Sequence, residues 1–374
     1  MASTAVMAED LDNLSGDFRL RLETVEQDNA AQDATALTLR SRLTYASDSY
    51  SGFSGKLELE NNTALVDDYN DTLGNGGEFS VVADPEFTEL DQAYAQYQKA
   101  AFSATLGRQV LTFDNHRFVG HVGWRQDRQT FDALTASYGF TEALQAKLVY
   151  IIQRNRIFSD ERDLDSKDVL LNVAYKLGGG TFSAYTYLLE LDNGTDNSLD
   201  TFGLRYAGKT KAGEVGISYA AEAALQSSQT GAAENDASYL LLEAGAALKG
   251  IKVTLGYESL GSDDGAYGFS TPLATLHKFN GWSDQFLGTP AEGLVDTYIS
   301  VGGKLAGGKW LLAYHDFSAD DASPAVDDLG SEINALYARK FAYGFSGGIK
   351  YAAYRAGDTK VDTDKLWAWV GYSF

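Results

Sequence analysis

The nine residues Leu366-Trp367-Ala368-Trp369-Val370-Gly371-Tyr372-Ser373-Phe374 carry the reading that decides the fold. Leu366, Ala368, Val370, Tyr372 and Phe374 alternate with Trp367, Trp369, Gly371 and Ser373, a period of two that belongs to a strand. The same period recurs upstream. Leu37, Leu39, Leu43 and Tyr45 alternate with Thr38, Arg40, Arg42 and Thr44, and Phe53, Leu57 and Leu59 with Lys56, Glu58 and Glu60. Leu144, Ala146, Leu148, Tyr150 and Ile152 oppose Gln145, Lys147 and Gln153, and Leu171, Val173 and Tyr175 oppose Asn172 and Lys176. Val215, Ile217 and Tyr219 oppose Glu214, Ser218 and Glu222, and Ile251, Val253, Leu255 and Tyr257 oppose Lys252, Thr254 and Glu258. Each segment thus has one apolar and one charged, wet face. A soluble sandwich would have to hide the apolar faces, and there are too many of them with no helical cover. Closing the strands into one barrel puts the apolar face on lipid and the charged face on a water-filled lumen. The expected fold is all-β, a transmembrane antiparallel up-and-down β-barrel.

Composition is consistent with this. The 374 residues include only 4 prolines, and the 38 glycines are scattered, so no linker divides the chain. One barrel domain is expected over residues 17–374, behind an N-terminal leader or disordered segment over residues 1–16. Within it Val6-Met7-Ala8 resembles the small-residue end of a signal cleavage site. Mean hydropathy is negative and no run approaches the ~18 apolar residues of a membrane helix. A barrel escapes that test because only alternate residues face lipid. The absence of cysteine excludes disulfides and thiolate metal sites, and 22 tyrosines and 19 phenylalanines suit aromatic girdles at the membrane interfaces. A net charge of −22 without a basic stripe excludes nucleic acid as a partner.

Eighteen strands are expected, starting near Asp17, Ala36, Gly52, Phe87, Ala101, Gln129, Ala143, Lys167, Thr181, Ser198, Glu214, Ala237, Ile251, Leu294, Lys309, Glu332, Phe345 and Thr363. Sixteen is the alternative, should the segments Thr88–Gln98 and Gln129–Tyr138 fail, where the alternation slips. Links alternate between short, as at Lys249–Gly250 and Leu305–Gly308, and long, as at Asn61–Glu86, Gly107–Arg128, Arg154–Ser166, Ala223–Asp236, Leu260–Gly293 and Phe317–Ser331. Short periplasmic turns and long outer loops are the asymmetry of bacterial outer-membrane barrels, and an even strand number leaves both termini periplasmic.

The long loops are acidic, with Asp67-Asp68, Asp71, Glu78, Asp84 and Glu86 in one, and Asp263-Asp264, Asp320-Asp321 and Asp327-Asp328 in others. The favoured reading is solvated surface loops; the sharper one is weak divalent-cation binding that bridges to lipopolysaccharide. No cofactor is expected otherwise. Arg19, Arg21, Arg40 and Arg42 fall on the polar faces of the first two strands, and Arg108, Arg117, Arg125, Arg128 and Arg154 follow. If that face is luminal they are pore-lining residues that select anions, since arginine matches carboxylates. They would in part pair with Glu23, Glu58, Glu60, Glu89 and Asp91. The segment GRQVLTFDNHRFVGHVGWRQDRQTFDA, Gly107–Ala133, is too polar and irregular for one strand. It is expected to fold inward as a constriction, with Arg117, Arg125 and Arg128 setting selectivity. His116, His121, His277 and His315 lack metal-ligand spacing, and no nucleophile elbow, P-loop, Rossmann or zincin motif appears, so no enzyme is expected.

The terminal strand ending on Phe374 resembles the C-terminal signature of outer-membrane barrels, which implies recognition by the barrel-assembly machinery. Gly107-Arg108-Gln109, Arg117-Phe118-Val119-Gly120, Trp124-Arg125-Gln126 and Thr130-Phe131-Asp132, with FSTPLATLHKFNGWSDQFLGTPAEGLVDTYISVG from Phe269 to Gly302, resemble the alginate-export family of outer-membrane barrels. The resemblance implies a single-chain barrel of eighteen strands with an arginine-rich pore for an anionic polysaccharide. It also implies that Arg108, Arg117, Arg125 and Arg128 line the pore and that the loop Leu276–Gly288 folds over it. The expected function is that of an outer-membrane porin for passive diffusion of small hydrophilic solutes, with anions, organic acids or anionic oligosaccharides as the candidates. A gated exporter of an anionic polysaccharide such as alginate is the alternative.

Overall fold

The computed structural model describes residues 13–374. The segment expected to be a leader, residues 1–16, falls mostly outside them, and the first strand begins at Leu14. The strands are β1 Leu14–Gln27, β2 Ala34–Ala46, β3 Phe53–Asp68, β4 Phe87–Lys99, β5 Phe102–Gln109, β6 Thr130–Gly139, β7 Leu144–Asn155, β8 Leu164–Leu177, β9 Gly180–Leu189 and β10 Asn197–Ala212. They continue as β11 Val215–Thr230, β12 Ala233–Leu248, β13 Ile251–Leu260, a small hairpin of β14 Ser262–Asp263 and β15 Tyr267–Gly268, then β16 Leu294–Leu305, β17 Gly308–Ser318, β18 Asp328–Lys340, β19 Phe345–Arg355 and β20 Thr363–Ser373. All but β14 and β15 form one 18-stranded sheet in which each strand pairs antiparallel with its sequence neighbours. Pairing of β1 with β20, from Asp17 opposite Ser373 to Gln27 opposite Thr363, closes it into a barrel. Closure leaves no unpaired edge, which a membrane does not tolerate.

The alternation read from the sequence is the alternation of the wall. Leu106, Leu134, Leu148, Leu204, Leu255 and Val370 point outward, each about half exposed or more, on the face that meets lipid. Phe53, Phe102, Tyr138, Phe140, Phe341, Tyr343, Phe345 and Tyr372 gather at the short-turn end as one aromatic girdle. The turns at that end are tight: Lys249-Gly250 and Ala306-Gly307 have positive φ at both central residues, the geometry that matches strand twist in two-residue hairpins.

The two doubtful segments are both strands. In β4 the alternation slips because Asp91 is an extra residue: Glu58 pairs with Gln92 and Leu59 with Leu90. In β6 it slips because Phe131 and Ala133 face inward, onto an apolar cluster inside the lumen. That cluster corrects the expectation of a uniformly wet interior. One long loop is also corrected. Ala223–Asp236 is not a loop: β11 runs to Thr230 and β12 starts at Ala233, with Glu222, Ala224 and Gln226 still facing in and Ala223 and Leu225 out. Alanine and short polar residues at those positions weaken the signal that elsewhere marks a strand.

Candidate functional site

Two loops fold into the barrel and form its candidate functional site. Residues 110–129 link β5 to β6, and residues 261–293 link β13 to β16. They hold each other through a parallel bridge between Val119 and Leu273, with Gly120 N–H donating to the Leu273 carbonyl at 2.8 Å and Thr275 N–H to that of His116 at 3.0 Å. Gln129 Nε2 ties both, donating to the carbonyls of Gly120 (2.9 Å) and Leu273 (3.1 Å). Phe118 inserts among Tyr185, Tyr239 and Phe269, ring centres 5.2 to 5.9 Å away. Tyr185 and Tyr239 are inward positions of β9 and β12, so the loops dock on a dry aromatic patch of the wall.

Beside this patch, and across the lumen from it, the loops are held by charge. Arg117, 2% exposed, donates to Glu258 at 2.6 Å, Thr271 at 3.1 Å and Asn280 at 3.0 Å. Burial opposes its charge, but Glu258 holds it above the ordinary arginine pKa. Arg125 bridges Glu23 of β1 (3.3 Å) and Asp284 of the second loop (2.6 Å). Arg128 pairs with Glu58 and, at 2.5 Å, with Asp91. A chain of polar contacts crosses the lumen beside them. Lys350 Nζ of β19 contacts His277 Nε2 at 2.6 Å, and His277 Nδ1 meets Asp284 at 2.6 Å. Lys365 of β20 reaches Asp284 at 3.1 Å. His277 stacks on Trp124 at 5.3 Å, and Lys350 Nζ lies 4.2 Å from the ring centre of Trp124 and 4.0 Å from that of Trp282. Burial pushes the His277 pKa down to about 3, against the pull of Asp284 and aided by Lys350 and Arg125. The neutral ring therefore donates from Nδ1 to Asp284 and accepts at Nε2 from Lys350.

The nine arginines expected at the pore divide into distinct environments. Arg117 and Arg125 are loop anchors. Arg21 is buried against Asp84 and Glu23, and Arg154 makes a two-pronged pair with Asp168 at 2.7 and 2.8 Å. Arg108 does the same with Asp132 at 2.8 and 3.1 Å on the wall. Arg19, Arg40, Arg42 and Arg128 instead border one cavity of about 550 Å³ on the short-turn side of the loops, with Lys56, His121, Asp17 and Glu58. Arg40 pairs with Asp17, and Arg42 lies 2.5 Å from Glu60. Arg19 makes no ion pair among the described residues: it donates to Gln126 Oε1 (3.0 Å) and to the carbonyls of Trp124 (2.8 Å) and Arg125 (2.7 Å). Asp84, expected in a solvated outer loop, is instead fully buried against Arg21, and Glu258, read only as part of a polar face, anchors Arg117. Sequence reading missed Asp284, Lys350 and Lys365. The only signal for the two lysines was an isolated cation on the inner face of a C-terminal strand.

His315, expected to lack a metal-ligand role, meets Asp296 through Nδ1 at 2.9 Å.

A closed 18-stranded barrel with a lipid-facing apolar band and loops folded into a charged lumen is a bacterial outer-membrane channel. Residues 13–259 match the alginate export family, and the chain belongs to that family. Solved structures agree on the fold. OccAB4 of Acinetobacter baumannii superposes with a TM-score of 0.76 at 12% identity, over 97% of this chain and 98% of that one. OpdL of Pseudomonas aeruginosa gives 0.73 at 13%, with the same coverage of both. OccK9 (OpdG) of Pseudomonas aeruginosa gives 0.72 at 17%, over 98% of this chain and 99% of that one. A comparison with curated protein sequences yields no match.

Proposed function

We propose that this channel passes small anionic solutes, organic acids or anionic oligosaccharides, by passive diffusion, with both termini in the periplasm. The observation that carries this is the cavity on the short-turn side. Arg19, Arg40, Arg42, Lys56 and Arg128 border it with Asp17 and Glu58, and although Glu60 and Asp91 stand behind Arg42 and Arg128, Arg19 has no ion pair among the described residues. Guanidinium groups offer paired N–H donors to a carboxylate and raise the local anion concentration. In this reading Arg19, Arg40, Arg42 and Arg128 meet the solute, while Arg21, Arg108, Arg117, Arg125 and Arg154 shape the passage through their carboxylate partners.

The test is single-channel recording in a planar bilayer under a salt gradient. The reversal potential is expected on the anion side, and Arg19→Glu shifts it toward cations. Cation preference in the wild type sinks the reading. A second reading, a gated exporter of an anionic polysaccharide such as alginate, is favoured by the two loops that meet inside the lumen, and it predicts little conductance until they move. Phe374 hydrogen-bonds with Gly16 through both backbone groups, N–H to O at 3.2 and 3.1 Å, and its ring is 57% exposed. That leaves the side chain free for the assembly machinery, and the acidic outer loops free for lipopolysaccharide.

A further inference from the structure

Glu60 of β3, Glu89 of β4 and Asp127 of the first inward loop bring carboxylate oxygens within 4.8 Å of one another. Glu60 and Glu89 are direct cross-strand partners, a placement in which like charges destabilise a sheet. Asp127 is fully buried and Glu60 is 1% exposed. One Asp127 oxygen accepts from Ser159 N–H at 3.0 Å; the other has no hydrogen-bond partner. Neither oxygen of Glu60 has an aligned donor either, although Arg42 Nη2 stands 2.5 Å from one of them. A buried carboxylate without donors is costly unless a positive charge meets it.

The surrounding ion pairs do not supply that charge. Asp17, Glu58, Glu60 and Asp91 are linked through Arg40, Arg42, Lys56 and Arg128, whereas Glu89 and Asp127 have no cation of their own within ion-pair distance among the described residues. Within this set of ion pairs six carboxylates meet four cations, and the neighbouring Arg19 is turned to Gln126 and two backbone carbonyls instead.

We infer that Glu60, Glu89 and Asp127 bind one divalent cation, of the hard, oxygen-seeking kind that calcium represents. Three carboxylates provide up to six oxygens, a set that suits calcium's high coordination number and tolerance of two-oxygen binding. The cation cancels the excess charge and relieves the Glu60–Glu89 repulsion. It also fastens the loop to the wall, because Asp127 belongs to the loop and the two glutamates to adjacent strands. Arg128, the next residue, is thereby held toward Glu58 and Asp91. The site is separate from the acidic outer loops, and the inference does not depend on which solute the channel passes.

The test uses the full chain, purified in detergent, stripped with chelator and titrated with calcium chloride by isothermal calorimetry. One saturable site per barrel is expected. Asp127→Asn and Glu89→Gln each weaken it by about ten-fold or more, while Asp263→Asn with Asp264→Asn in an outer loop leaves it unchanged. Heat-modifiable gel mobility verifies that each variant is a folded barrel. Should Asp127→Asn not fold, Glu89→Gln, whose side chain is only partly buried, decides. Absence of saturable binding in the wild type overturns the inference, as does binding that survives Asp127→Asn or Glu89→Gln in a folded barrel, or that the outer-loop double variant abolishes.

Discussion

Between Lys350, His277 and Asp284 the structure leaves room for one arrangement of protons. The ring is enclosed by Trp124 and Trp367, with Arg125 and Lys365 also directed at Asp284. A second proton on His277 would face Lys350 Nζ at 2.6 Å. With its pKa at about 3 in the folded protein and 6.5 ordinarily, His277 binds a proton more readily when unfolded across that interval. Its contribution to stability is therefore complete above pH 6.5 and is lost as pH falls toward 3, at about 1.4 kcal/mol per pH unit. In histidine-labelled protein the His277 ring signals are expected to stay fixed from pH 8 to pH 5; titration near 6.5 would show the ring to be solvated. Arg154 and Asp168 make a second single-residue test. Asp168 is fully buried, so Arg154→Ala leaves a bare carboxylate and is expected to destabilise the barrel by about 3–5 kcal/mol in denaturant unfolding. A loss under 1 kcal/mol would mean that water reaches Asp168 in the lumen.

At the scale of the element, the loop of residues 110–129 is attached at three kinds of contact: the Val119–Leu273 bridge, the aromatic socket of Phe118 and the arginine pairs. Replacing Phe118 by alanine removes the socket's plug, a change that costs about 3–5 kcal/mol in a packed core. Single-channel conductance is expected to rise, and replacing residues 115–121 by a short Gly-Ser linker is expected to raise it several-fold. Unchanged conductance in both would mean that the current passes elsewhere than beside the loop. Strands and loops differ in how far the sequence announces them. Lipid imposes a strict two-residue period, so all eighteen strand starts lie within four residues of the positions read from it. That the segment after Gly107 enters the barrel was legible from its polarity and length. Which residues it meets was not. Trp124, His277 and Lys350 come together from far-separated parts of the chain, and no local pattern encodes such a meeting. The same holds for the arginines. Sequence put Arg19 on a polar strand face and Arg117 in the inward segment, but nothing local tells their roles apart, and only the position of Glu258 makes Arg117 an anchor while Arg19 has no carboxylate partner.

Over the whole molecule the charges separate along the barrel axis. Asp67, Asp68, Asp71, Asp263, Asp264, Asp320, Asp321, Asp327 and Asp328 sit at the long-loop end, while Lys209, Lys211, Lys252, Lys304 and Lys309 sit on β10, β13, β16 and β17 toward the short turns, beyond the arginine-lined cavity on the opposite side of the sheet order. An anion that enters from the short-turn side meets attraction first; from the other side it meets a repelling rim. Such a field acts over a Debye length, about 10 Å in 0.1 M salt and about 3 Å in 1 M. The distance matters because it separates two sources of selectivity. Long-range steering by the lysines and the acidic rim fades in concentrated salt, whereas the direct contact with Arg19 that the proposed function calls for would survive it. The current–voltage curve in symmetric 0.1 M potassium chloride is thus expected to be asymmetric and to straighten in 1 M. Anion preference under a gradient should weaken over the same range but not vanish. Asymmetry that is equal at both concentrations would assign it to the shape of the two loops instead of to charge, and complete loss of anion preference at 1 M would leave Arg19 without a contact role.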